Sequence, residues 1–227
     1  MTAGVIRSAS QINEAMGRVY GYMGLAVLVS MLVSMGVGTS PELVKFFFTG
    51  IMHWIVIFAP LLAVFGVTIA LNANPPKEIA IALLAGFAAI MGLSFAVIFA
   101  VYTMASIVNA FMGAAVLFGV MSFFGYFTKK DLSGMGQMLF VGLIAIIIAS
   151  VINIFIGSTV MQMVISAIAI IVFLGLTAYD TQRIREMVTH DDNSATAEIL
   201  GALNLYLNFI NLFISLLQLF GSSKSSD

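Results

Sequence analysis

Seven stretches of the chain are apolar for long enough to cross a bilayer as helices, a length of about 20 residues each. They run roughly from Val19 to Val37, Phe48 to Leu71, Ile79 to Val101, Ala105 to Phe127, Met135 to Ile156, Thr159 to Tyr179 and Gly201 to Phe220. Turn chemistry and charge mark the breaks between them. The first is Thr39-Ser40-Pro41-Glu42, where the proline either breaks a helix or opens one. The others include Asn72 to Glu78 with its Asn-Pro-Pro, Thr128 to Gly134, and the charged segment Asp180 to Glu198. Pro60 falls inside the second run and predicts a kink there. In the third run Ala88, Gly92, Ala96 and Ala100 recur every four residues, a row small enough for a neighbouring helix to come close.

The seventh run has a different pattern. Asn204, Asn208, Asn211, Ser215 and Gln218 follow at steps of four, three, four and three, which places all five on one side of a helix. The other side is Leu, Phe and Ile. A carboxamide in hydrocarbon is costly unless hydrogen-bonded, so this stripe turns inward, toward other helices or a wet cavity. It either holds helices together or lines a polar pathway.

Composition narrows the class. Apolar residues make up 61% of the chain and charged residues 8%, against about a quarter charged in soluble domains. The expected fold is an all-α membrane protein of seven transmembrane helices. It divides into an amino-terminal segment 1–18, a membrane domain 19–220 and a polar tail 221–227. Gln11 to Arg18 suggests a short interfacial helix, and Met1 to Asn13 lacks the apolar run of a signal peptide. With no cysteine there is no disulfide framework and no thiol ligand, and a net charge of −1 gives no reason to expect nucleic acid as a partner. Arg7, Arg18, Lys77, Lys129, Lys130, Arg183 and Arg185 fall on the amino-terminal side, and only Lys45 and Lys224 on the other. Seven against two places the amino terminus in the cytoplasm and the carboxyl tail outside.

Of ten acids, nine (Glu14, Glu42, Glu78, Asp131, Glu186, Asp191, Asp192, Glu198 and Asp227) read as loop or tail residues. Asp180 alone abuts an apolar run, in Leu176-Thr-Ala-Tyr-Asp-Thr-Gln-Arg-Ile-Arg185. Arg183, three residues on, is a candidate ion-pair partner along the helix. Otherwise Asp180 is a carboxylate at the inner mouth of a pathway, where it binds a cation or titrates. Asn204 and Asn208 lie roughly 5 to 10 Å along the last helix at 1.5 Å per residue, a depth near that of Asp180. His53, beside Trp54, reads as an interfacial residue. The only histidines, His53 and His190, lie at or beyond span ends, a single acid is placed for intramembrane work, and the last span has no lysine. These absences argue against a serine or aspartyl intramembrane protease and against a retinal protein, so no enzyme and no resident cofactor is expected.

Gly125-Tyr-Phe-Thr-Lys-Lys-Asp-Leu-Ser-Gly134, Leu176-Thr-Ala-Tyr-Asp-Thr-Gln182 and Leu205-Tyr-Leu-Asn-Phe-Ile-Asn-Leu-Phe213 resemble the Bax inhibitor family, in particular its bacterial inner-membrane branch. The resemblance extends from about Val19 to Gly221. It implies seven helices with the last one central, and in some members a pH-sensitive calcium leak. Other members are linked to stress protection or to modulation of membrane proteases. In the leak mechanism two aspartates of the last two helices share a proton. The first matches Asp180, whereas the second falls on Asn208. The family's arginine late in the last helix falls on Gln218, and Lys77 is the nearest counterpart of a basic partner after the second helix. Two close carboxylates resist ionising together, and an amide in place of one removes that repulsion. The resemblance therefore implies a pH response that is weaker or displaced to lower pH. A transient calcium ion at Asp180 would be bound less tightly, with Asn204, Asn208 and Asn211 along the path. The alternative is a non-conducting regulator that contacts a membrane protease or stress complex.

Overall fold

The computed structural model describes residues 7–190 and 195–224. Asp191, Asp192 and Asp227, three of the acids assigned to loops and tail, lie outside the described residues, as do residues 1–6 of the amino-terminal segment. Among the described residues eight helices follow in order: α1 (Ala9–Gly38), α2 (Pro41–Phe47), α3 (Gly50–Asn72), α4 (Lys77–Val101), α5 (Met104–Phe127), α6 (Ser133–Ile156), α7 (Thr159–His190) and α8 (Ala195–Phe220). All but α2 are long and apolar enough to cross a membrane, so the chain is an all-α membrane protein with seven candidate spans.

Two boundaries differ from the sequence expectation, and at Pro41 one of its two alternatives is realised. The short interfacial helix at Gln11–Arg18 and the first span are one continuous α1. Its start is set by a capping box in which Ser8 and Gln11 exchange side-chain hydrogen bonds with each other's backbone N–H. Pro41 opens a helix, since it sits in the first turn of α2 behind the Ser40 cap. The segment Asp180 to Glu198 is largely helical: α7 continues through it to His190 and α8 begins at Ala195. Pro60 lies inside α3, which spans it as a single helix.

The chain forms two compact units. The first comprises Met1–Thr103, Met187–Tyr206 and Ser223–Asp227, the second Met104–Glu186 and Leu207–Ser222. The last two long helices each contribute to both.

In the first unit α1 lies against α4 along the row of small residues. Ala88, Gly92 and Ala96 are buried, and Ala100, where the row ends, is exposed. A Cβ on Gly92 would come within 2.6 Å of the Ser30 carbonyl oxygen, so only glycine permits this approach. Ser30 uses it: its hydroxyl lies 2.8 Å from the Ala88 carbonyl and 2.6 Å from the hydroxyl of Tyr206, which is fully buried on α8. In the second unit the equivalent approach is between α5 and α7, where Gly125 meets the Ala178 backbone more closely than a Cβ would allow. Phe111 and Phe118 of α5 pack edge-on against Phe209 of α8 at 5.3 and 5.7 Å.

The outward faces are mostly apolar, with Asn109 of α5 an exposed exception. Leu62, Met138 and Phe155 are 71%, 76% and 85% exposed, surface that suits acyl chains and not water. The last helix is the exception: 67% of its most apolar window is buried, against 39% in α4, the next most enclosed span. This is where a stripe of amides can be sheltered.

Candidate functional site

The five polar residues of α8 fall on one helix face, but they serve different purposes. Asn208 is 5% exposed and donates from Nδ2 to Oδ2 of Asp180 at 2.6 Å. Asp180 is itself 9% exposed, five residues beyond Gly175 on α7. Both residues belong to the second unit, so the acid and the amide of the aligned motifs are brought into direct contact. The bond is short for an amide donor.

Further along α8 the stripe turns on itself. Asn211 donates to the Leu207 carbonyl at 2.8 Å and Ser215 to the Asn211 carbonyl at 2.7 Å, both one turn back. Such bonds satisfy a polar side chain within its own helix. Gln218 is different again. Its Oε1 accepts from Gln162 Nε2 at 2.8 Å and from the Ser166 hydroxyl at 3.0 Å, and Gln162 in turn accepts from Asn153 at 3.2 Å. Gln218 therefore joins α8 to α7 through neutral amides. Asn204, in the first unit, is half-buried.

The surroundings of Asp180 are set by the next turns of α7. Gln182 accepts from the Leu132 N–H at 2.9 Å and donates to the Lys130 carbonyl at 2.8 Å, which pins the α5–α6 connection to α7. Arg185 donates to the Tyr126 carbonyl at 2.9 Å and lies 4.9 Å over the Tyr126 ring. A guanidinium at the last turn of α5 takes up a carbonyl that the helix leaves unpaired. Asp131, in the connection, is paired with the Ser133 hydroxyl and accepts from the Ser133 N–H, which together hold its carboxyl below the usual carboxylate range.

Of the two basic residues considered as partners of Asp180, Arg183 acts on its charge through space without forming an ion pair, and Lys77 belongs to the first unit. Arg183 and Lys77 are both exposed. Among the described residues the ion pairs are Arg18–Glu14, Arg18–Glu198 and Arg7–Glu198. No group of three or more His, Cys, Asp or Glu capable of holding a metal occurs among the described residues.

Glu198 corrects the sequence reading. Assigned to a loop, it is 5% exposed in the first turn of α8. Arg18 grips it with two bonds, Nε to Oε2 at 2.8 Å and Nη2 to Oε1 at 2.6 Å. One signal was present in the sequence: Glu198, Ala202 and Tyr206 recur every four residues, so the buried face of α8 extends past Gly201 to this acid.

Comparison with known proteins agrees with this arrangement. The family model described as "Inhibitor of apoptosis-promoting Bax1" matches residues 12–225. The inner membrane protein YbhL of Escherichia coli K12 is 37% identical over 97% of this chain and 96% of its own. An uncharacterised protein of Caulobacter vibrioides is 36% identical over 94% of this chain and 90% of its own. Another, of Deinococcus radiodurans, is 34% identical over 96% and 94%. With the match covering nearly every described helix, the chain belongs to the Bax inhibitor family.

Proposed function

We propose that the protein lets cations, calcium among them, leak across an inner membrane along the polar side of its last helix, with the Asp180–Asn208 pair as the point of control. The amino terminus is cytoplasmic and the carboxyl terminus outside, in keeping with seven Lys and Arg against two. The observation that carries the reading is the buried hydrogen bond itself. As it stands, the amide directs its N–H at the carboxylate and offers a passing cation nothing. Rotation of the carboxamide by half a turn would break that bond and set Oδ1 of Asn208 beside the carboxylate, two oxygens suited to a hard cation. Asn208 thus acts as donor in the closed arrangement and as ligand in the open one. Because Asn208 cannot ionise, the response to pH rests on one carboxyl and is weaker than that of a carboxyl pair.

The second reading is a regulator that acts on a membrane protease or a stress complex by direct contact. It draws support from Asn211, Ser215 and Gln218, whose polar atoms are engaged within the protein and not held open toward a path. Neither reading involves catalysis. Calcium flux into proteoliposomes that contain the purified protein, followed at several pH values, separates the two. The leak requires flux above empty vesicles that is lost in Asp180→Ala and made more pH-dependent in Asn208→Asp. Flux equal to that of empty vesicles at every pH refutes it and leaves the regulator.

A further inference from the structure

The first turn of α8 is a junction. Glu198 takes the bidentate grip of Arg18 from α1, and Arg7 lies 3.9 Å from the same carboxylate. The Arg7 backbone N–H donates to the Thr189 carbonyl at 3.2 Å, near the end of α7. Thr196 donates to the Pro75 carbonyl of the α3–α4 turn at 3.3 Å. All of these residues belong to the first unit.

Along α1, Arg18, Tyr22, Ala26, Ser30 and Ser34 recur every four residues, and Glu198, Ala202 and Tyr206 do the same on α8. The two rows meet at two polar points. The deep one is neutral: Ser30 against Tyr206, 3% and 0% exposed. Ala26 and Ala202, 1% and 0% exposed, lie between it and the other. The outer point is charged and lies at the rim, since the Arg18 side chain keeps 37% of its surface.

We propose that the Arg18–Glu198 pair is a releasable lock, which holds the first turn of α8 closed against α1. A buried ion pair stabilises a fold little more than apolar residues of the same volume would, so stability alone does not account for it. Its surroundings suit two states. Arg18 already holds a second acid, Glu14, at 2.9 Å one turn earlier on α1. Glu198 already has Arg7 nearby and lies in the first turn of a helix, where the helix dipole favours a carboxylate. When the grip opens, each charge keeps a partner, so opening is far cheaper than breaking an isolated buried pair. The deep Ser30–Tyr206 contact then acts as the pivot that keeps α8 on α1. The lock stands whether or not the last helix conducts.

Hydrogen exchange by mass spectrometry on the protein in nanodiscs tests this. Glu198→Gln and Arg18→Gln should speed amide exchange about tenfold or more in residues 195–203 and 9–18, as expected of a local opening. Exchange in α4, residues 77–101, should be unchanged. In the double variant R18C/E198C, which the absence of native cysteine makes clean, a short bis-maleimide should return residues 195–203 to parental exchange, and the uncrosslinked form should match Glu198→Gln. Unchanged exchange at residues 195–203 in Glu198→Gln would overturn the proposal. So would an equal rise in α4, which makes the pair part of the general framework, or a crosslinked form that still exchanges fast.

Discussion

Asn208→Leu is the most informative single change, because its cost depends on what kind of hydrogen bond is removed. Leucine keeps the branched shape of asparagine and loses only the polarity. Asp180, 9% exposed, would then lack the N–H that lies 2.6 Å from its Oδ2. Side-chain hydrogen bonds between membrane helices contribute about 0.6 kcal/mol on average, whereas a bond to a charged group contributes about 1.5 to 3 kcal/mol. The short distance and the burial on both sides favour the second value, one to two powers of ten in the unfolding equilibrium at about 1.4 kcal/mol each. The matching double variant, Asp180→Leu with Asn208→Leu, removes donor and acceptor together. It should cost less than either single change, since no polar atom is left without a partner. Reversible unfolding in mixed micelles, run as a double-mutant cycle, measures the coupling. A coupling below about 0.3 kcal/mol would show that the two residues merely lie side by side, against a range of about 0.5 to 3 for genuine partners.

Further changes probe the neighbouring contacts. Gly125→Ala places a methyl group against the Ala178 backbone and should cost about 1–3 kcal/mol. Gly119→Ala, with nothing within 4 Å, should be neutral or stabilising by up to about 1 kcal/mol in the same unfolding assay. Tyr206→Phe removes the hydroxyl 2.6 Å from Ser30 and should lower stability by about 0.6 to 1.7 kcal/mol, with the fold unchanged by circular dichroism. The Asp131 carboxyl is held below its usual range, so its support for the start of α6 is present above the usual carboxylate pKa and is lost as pH falls through the lowered one. The protection factor of the Ser133 amide, which allows for the slower intrinsic exchange in acid, should fall at acid pH in the parent and should be low at every pH in Asp131→Ala.

The seven spans and the sheltered face of the last helix were legible because both rest on local periodicity: apolar runs of bilayer length, and polar residues three and four apart. The partners were less so. Asp180 and Asn208 share a depth in the sequence, but their contact depends on how α8 is turned against α7, which no local pattern states. Asn211 and Ser215 lie on the same stripe as Asn208, yet they bond within their own helix, since a short polar side chain can reach a carbonyl one turn back. Glu198 was hidden most completely. An acid in a charged segment reads as solvated, and its burial is made affordable by an arginine 180 positions away.

The length of α7 places the Asp180–Asn208 bond relative to the lipid. Its 32 residues extend roughly 48 Å at 1.5 Å per residue, while the hydrocarbon layer is about 30 Å thick. Asp180 comes 21 residues after Thr159, about 32 Å along the axis. With Thr159 at one face of the hydrocarbon, the bond falls at the other face and not at the midplane. A thicker bilayer would draw the pair under the acyl chains, and a thinner one would bring it among the headgroups, each at a small cost per ångström of mismatch. Acyl-chain length is then a variable expected to shift the strength of this one contact.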